Sequence, residues 1–356
     1  MSKALARKNK PMNTKTVFVI GAGASKEVDL PTGYELKEII ARLLNMRFDF
    51  NRQISGDHLI ANALRSHVRT PEGREGDINP YLHESWHIKD ALPLAISIDN
   101  FIDSQRGNKK IAICGKLAIV RSILNAEKGS MLHFEKYSNN AEINFSSLEK
   151  TWYLPFFQLL TENCKVDDLE DRFKSVTLII FNYDRCVEHF LFNALQKYYR
   201  VSEVEAANII KNINIYHPYG SVGSLPWHDS EERMEFGAEP NANQLLSLTH
   251  KIKTFTEGTD PNASNIVSIR EHICRASKLI FIGFAFHKLN MVLISPDNCE
   301  GAESIKCYAT TFGISNSDTV EINKQISNLY SNHVDLHMGK LSCNEFFSEF
   351  WRGLSF

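Results

Sequence analysis

The chain has 356 residues, 43% of them hydrophobic and 23% charged, with a formal net charge of −2. That balance supplies no strong field for nucleic acid or an anionic membrane surface, and no stretch reaches the ~18 consecutive apolar residues of a membrane-crossing helix. The seven cysteines, at 114, 164, 186, 274, 299, 307 and 343, form no C-x-x-C pair. Neither a disulfide framework nor a structural zinc ribbon is therefore expected, and a reduced cytoplasm fits best.

In chain order, the basic run MSKALARKNKPMNTK has no apolar core of signal-peptide length and reads as a frayed tail. TVFVI follows as a buried strand, then the glycine turn GAGAS. Leu36, Ile39, Ile40, Leu43 and Leu44 form one stripe of the first helix. From about 48 to 175 the chain is polar and lacks strand alternation, which predicts a large helical insertion beside the sheet. From 176 onward strand and helix alternate. VTLII is a strand, and Val187, Phe190, Leu191, Ala194 and Leu195 mark the helical face after it. Ser202 with Glu205 gives a capping box for the next helix. NINIY follows as a strand, and 225–265 reads as a loop-rich excursion or lid. KLIFI and IKCYATTFG are strands, Val320, Ile326 and Leu329 mark a helix, and HVDLHMG is the last strand. Phe346, Phe347, Phe350 and Trp351 then share one face of a closing helix. Continuous apolar strands separated by helices predict one α/β domain over 1–356, a parallel Rossmann-like sheet with helices on both faces.

In such a sheet, ligands bind beyond the carboxyl ends of the strands. Four turns fall there: GAGAS, FNYDR with Asn182 and Asp184, HPYGS with His217, and GFAFHKLN with Gly283. Glycines at 21 and 23 let a backbone approach a pyrophosphate, whose charge amide N–H groups can meet. The third glycine of the dinucleotide fingerprint is missing, since Gly23 is followed by Ala24, Ser25 and Lys26. Taken singly, each residue has a plainer reading: a tight turn at Gly21–Gly23, a helix cap at Asn182, a helix N-terminus served by Asp184, an ordinary loop histidine at 217.

The order GAGAS, FNYD, a histidine followed by GS, and then GFAF resembles the sirtuin fold, and specifically the sirtuin-like NAD-hydrolysing effectors of bacterial antiphage defence. SIDNFID (97–103) also resembles a segment of these effectors. The resemblance covers the opening 40 residues and most of 175–315. It implies NAD as substrate, cleaved at the nicotinamide–ribose bond to give ADP-ribose and nicotinamide. By it, Gly21, Ala22, Gly23 and Ser25 hold the pyrophosphate, Asn182 positions the water or the ribose hydroxyls, and His217 is the general base. Asp184 and Asp99 contact ribose or orient His217, and Gly283 and Phe284 lie near the adenosine half. It also implies abortive infection gated by a homo-oligomer or by an operon partner, such as a HerA-type ATPase, a short Argonaute or a nucleotide-processing enzyme. The chain departs from deacylating sirtuins in lacking their four-cysteine zinc ribbon, which favours water as the acceptor. Its HPYGS is two residues longer than the plain His-Gly.

Two other classes stay open. The same loop would serve a module that senses NAD or ADP-ribose without cleaving it. HESWH (83–87) is formally the H-E-x-x-H of zinc peptidases, with no evident third ligand, so no metal site is expected.

Overall fold

The structure is a computed structural model that describes residues 15–50, 52–135, 141–228, 230, 232–258, 264–296, 299, 305–330 and 334–356. The basic tail lies outside the described residues up to 14. Numbered in chain order, the strands of the main sheet are β1 (Thr16–Ile20), β2 (Val176–Ile180), β3 (Asn214–Tyr216), β4 (Lys278–Ile282), β5 (Ile305–Thr310) and β6 (Val334–Gly339). They lie in the order β3-β2-β1-β4-β5-β6, every pair parallel. This is the strand order of the doubly wound dinucleotide-binding fold, so the expected Rossmann-like α/β class is present. The chain runs outward from β1 to β3, then crosses back to β4 on the other side of β1. The crevice where the order reverses lies between the carboxyl ends of β1 and β4.

The central strands β1, β2 and β4 are almost wholly apolar because successive side chains point to opposite, covered faces. Phe18, Ile20, Leu178, Ile180, Ile280 and Ile282 enter one core. Val17, Val19, Ile179, Leu279 and Phe281 enter another. The first core is sealed by Trp152, Tyr153, Phe156 and the closing helix Cys343–Leu354, whose Phe346 and Phe347 are fully buried while Phe350 and Trp351 lie at its margin.

A third core lies apart from the sheet. Helices Gly33–Leu44, His58–Val68, Asn79–Ala91 and Lys109–Gly129 supply it. The first has the expected stripe, and a capping box from Thr32 and Glu35 starts it. The stretch read as one insertion thus serves two ends: its earlier helices build this block, and Tyr153–Thr161 covers the sheet.

Four expectations are corrected. A short antiparallel hairpin, Arg47–Asp49 with Arg52–Ser55, interrupts the stretch read as strandless; its side chains are exposed or half-buried, so no apolar alternation marked it. The excursion 225–265 is no free lid, because Leu245, Leu248 and Ile252 are buried in the third core. In the helix Asn316–Ser327 the inward residues are Ile322 and Ile326, while Val320 is 60% exposed. Cys274 and Cys299 form a disulfide with Cα atoms 5.3 Å apart, where reduced thiols were expected.

Candidate functional site

β1 ends at Ile20, and the chain turns at once into a short helical turn, Ala22–Ser25. Gly21 N–H donates to the Ile282 carbonyl (3.0 Å) and Gly23 N–H to the Gly283 carbonyl (2.9 Å), which stitches the loop after β1 to the loop after β4. The glycines are required by this contact. A Cβ on Gly21 would stand 2.6 Å from the Gly283 carbonyl oxygen, and one on Gly283 would stand 2.0 Å from Ala24 N. Gly283 also has φ +56°, a left-handed conformation that costs side-chain-bearing residues energy. Trp152 secures the loop from below: its buried indole N–H donates to the Ala24 carbonyl at 2.8 Å.

Beyond β2, the side chains of Asn182 and Asp184 turn back onto this loop. Asn182 Nδ2 donates to the Gly21 carbonyl (3.1 Å) and to Ser25 Oγ (2.9 Å). The Ser25 hydroxyl donates its one proton to Asp184 Oδ2 (2.9 Å). Asp184 Oδ1 accepts from Cys186 N–H (3.1 Å), so this carboxyl also serves the start of the helix Cys186–Tyr199. Asn182 caps nothing. Burial pushes the Asp184 carboxyl above its ordinary pKa, against the hydrogen bonds from Cys186 and Ser25. Gly21, Gly23, Ser25, Asn182, Asp184 and Gly283 therefore form one knot at the rim where the strand order reverses, with Ala22 inside the same turn.

His217 lies one step away and looks elsewhere. HPYG is a β-turn closed by Gly220 N–H on the His217 carbonyl (3.0 Å), with Pro218 at its second position. His217 Nδ1 donates to the Asn182 carbonyl (3.1 Å), and Nε2 meets Glu188 Oε1 at 2.7 Å. A carbonyl only accepts, so Nδ1 carries a proton, and the carboxylate holds a second on Nε2. Burial alone would lower the His217 pKa and raise that of Glu188, but their mutual attraction wins in both, leaving His217 raised and Glu188 lowered. An imidazole in this state has no free lone pair with which to take a proton.

The turn sends Tyr219 toward the crevice side instead. Its hydroxyl donates to Asn290 Oδ1 (2.5 Å) and its ring meets Phe181 edge-on, centroids 5.6 Å apart. Asp99, on the helix Ile98–Ser104, accepts a short hydrogen bond from the Tyr183 hydroxyl. Burial raises the Asp99 carboxyl to about 6, even with that donor in place. Asp99 reaches the knot only through Tyr183, the residue between Asn182 and Asp184. Phe284 is 3% exposed and packs on Phe181, Phe281 and Phe286; its ring belongs to the core beneath the rim.

Glu127, Arg185 and Glu188 were not singled out from the sequence. Arg185, 2% exposed, pairs with fully buried Glu127 through Nε (3.0 Å) and a short second contact. It also donates to the carbonyls of Met234 (2.6 Å) and Glu235 (3.2 Å), tying down the excursion after β3. A signal for Glu188 existed: it sits three residues before Leu191 and seven before Leu195, a carboxylate on an apolar stripe.

In HESWH, on the helix Asn79–Ala91, Glu84 is engaged by His87 (3.3 Å) and by Asn108 (2.8 Å), and His83 lies edge-on to Trp86. Among the described residues no group of three His, Cys, Asp or Glu side chains is arranged to hold a metal ion. No family model matches the chain, and a search of curated proteins returns no relative.

Proposed function

We propose that the chain is an NAD hydrolase, cleaving the nicotinamide–ribose bond with water to give ADP-ribose, nicotinamide and a proton. The observation that carries this reading is the knot itself. Side chains from the end of β2 close, by direct hydrogen bonds, the glycine loop at the crevice where a dinucleotide binds in this strand order. In this reading the pyrophosphate lies against the bare glycine backbone of 21–25, whose Gly21, Gly23 and Ala24 N–H groups already donate to the Ile282, Gly283 and Gly21 carbonyls. Asn182 keeps the loop in shape, with its Oδ1 left to accept from a ribose hydroxyl. Loss of nicotinamide passes through an oxocarbenium-like state, so the water needs orientation and a proton acceptor more than a strong nucleophile. With both His217 nitrogens engaged, Asp99 would take that proton only through the Tyr183 hydroxyl that donates to it. His217 acts instead on the Asn182 peptide, as a positioning residue. Resemblance to defence effectors adds gating by an operon partner or by self-assembly.

One observation favours a second reading, an NAD- or ADP-ribose-sensing module that does not cleave: the engaged imidazole of His217. The test is incubation with NAD, with and without the neighbouring gene's product, measuring nicotinamide release and NAD binding on the same samples. Hydrolysis abolished by Asn182→Ala or Asp99→Asn supports the enzyme. Tight binding with no nicotinamide under either condition leaves the sensor. Wild-type turnover in Asn182→Ala overturns the site.

A further inference from the structure

The main sheet ends in two unlike edges. β3 is 3 residues long, and so short an edge offers little to pair with. β6 runs for 6 residues in unbroken register with β5, every one of them half-buried, and carries no proline, lysine or bulge to blunt it. Its backbone is used on one side only. Thr311 N–H donates to the Gly339 carbonyl (2.8 Å), which turns Gly339 toward β5. Peptide groups alternate sides along a strand, so Asp335 and His337 face β5 as well. The N–H and C=O groups of Val334, Leu336 and Met338 therefore point off the sheet. Among the described residues nothing bonds to them.

The side chains divide in the same way. Val334, Leu336 and Met338 lie at the margin of the core that holds Val17 and Phe281. Asp335 and His337 lie on the opposite face, in an ion pair of 3.2 Å, and the His337 ring stacks on Tyr308 with centroids 5.0 Å apart. A carboxylate two residues from an imidazole makes this edge complementary to its own reverse. With a two-fold axis at Leu336, antiparallel pairing sets Leu336 opposite Leu336, Val334 opposite Met338, and Asp335 of each copy opposite His337 of the other. The outward-facing residues become the hydrogen-bonded pairs. The charged ones become the intervening pairs, whose Cα atoms approach to about 4.5 Å, the closer of the two spacings. Each carboxylate keeps its own imidazole and gains a second across the seam. Moving the axis to Asp335 or to His337 sets like groups opposite each other, which is unfavourable.

We infer that β6 is the interface of a homodimer, in which two copies join edge to edge, antiparallel about Leu336, into one continuous sheet. β5 separates this edge from the crevice between β1 and β4, and the inference is independent of the proposed hydrolase activity.

Sedimentation of the purified full chain across a dilution series is expected to show a monomer–dimer equilibrium. Asp335→Lys, at a side chain 45% exposed, sets a cation against an imidazole on both sides of the axis. It should weaken the dimer at least about tenfold while the monomer stays folded. Hydrogen exchange on the wild type gives a signature that a dimer through another surface would not. At high concentration the amides of Val334, Leu336 and Met338 should exchange slowly, and dilution should free these alone, while those of Asp335, His337 and Gly339 stay protected by β5. A chain monomeric at every concentration, a dimer as tight in Asp335→Lys as in the wild type, or outward amides that exchange alike before and after dilution would overturn the assignment.

Discussion

Two buried charge pairs flank the same short segment, and they behave differently. Arg185–Glu127 joins a cation that never loses its proton to a carboxylate held by four donors, three from Arg185 (its backbone N–H, Nε and Nη2) and one from Gly237 N–H. His217–Glu188 joins two groups that both titrate, and Glu188 Oε2 is buried with no partner. The first pair is a fixed strut between the Lys109–Gly129 helix, the end of β2 and the excursion after β3. The second is conditional on pH, and it bears on the peptide of Asn182. Burial depth alone does not distinguish strut from switch; the identity of the cation does.

The largest effect that separates them comes from breaking the strut. Glu127→Gln should cost about 3–5 kcal/mol in urea unfolding, because it leaves a guanidinium buried without its counter-charge. Replacing both partners, Glu127→Leu with Arg185→Met, should recover much of that loss; if the double variant is as unstable as the single one, the pair contributes more than mutual neutralisation. Glu188→Gln should cost about 1–3 kcal/mol, and this loss should depend on pH. His217, raised in the fold, contributes stability that is full below its ordinary value of 6.5 and fades as pH rises through the raised value. Glu188, lowered in the fold, contributes above 4.5 and fades as pH falls through the lowered value. The gap between wild type and Glu188→Gln should therefore be widest between pH 4.5 and 6.5 and narrow as pH rises from 6.5 through the raised value of His217. A flat Glu188→Gln gap from pH 4 to 9 would remove the ion pair from the account.

Asp99 sharpens the contrast with the smallest effect. It is an acid raised to about 6 by burial, so ionising it opposes folding, and stability falls as pH rises from its ordinary 3.8 toward 6. Asp99→Asn should gain about 1 kcal/mol on wild type above pH 6, a fraction of the ~3 kcal/mol the shift would carry in a fully dry site because Asp99 is only half-buried, and nothing near pH 4. Equal thermal midpoints for both proteins at pH 7.5 would mean that the carboxyl is solvated.

What the sequence disclosed follows the range of the forces involved. Strands β1, β2 and β4 and the capping box at Ser202 rest on neighbours within a few residues, and each is legible there. The convergence of GAGAS and FNYD was legible too, because a parallel sheet places all its carboxyl ends on one rim. The partner of His217 was not, since the choice between the crevice and Glu188 depends on how the PY pair folds the turn. The Arg185–Glu127 pair spans 58 residues, and no local pattern selects one glutamate among many. The hairpin at 47–55 escaped for the opposite reason: its local signal is weak, and exposed side chains carry no period.

The central position of β1 has a cost in time. Its neighbours in the sheet begin at Val176 and Lys278, so every hydrogen bond it makes to a strand awaits a distant part of the chain. At ribosomal speeds of roughly 5–20 residues per second, TVFVI emerges roughly ten seconds or more before its first partner is translated. During that interval this apolar strand is a natural client for a chaperone, and nascent chains stalled before residue 176 should associate with one more than those released after it.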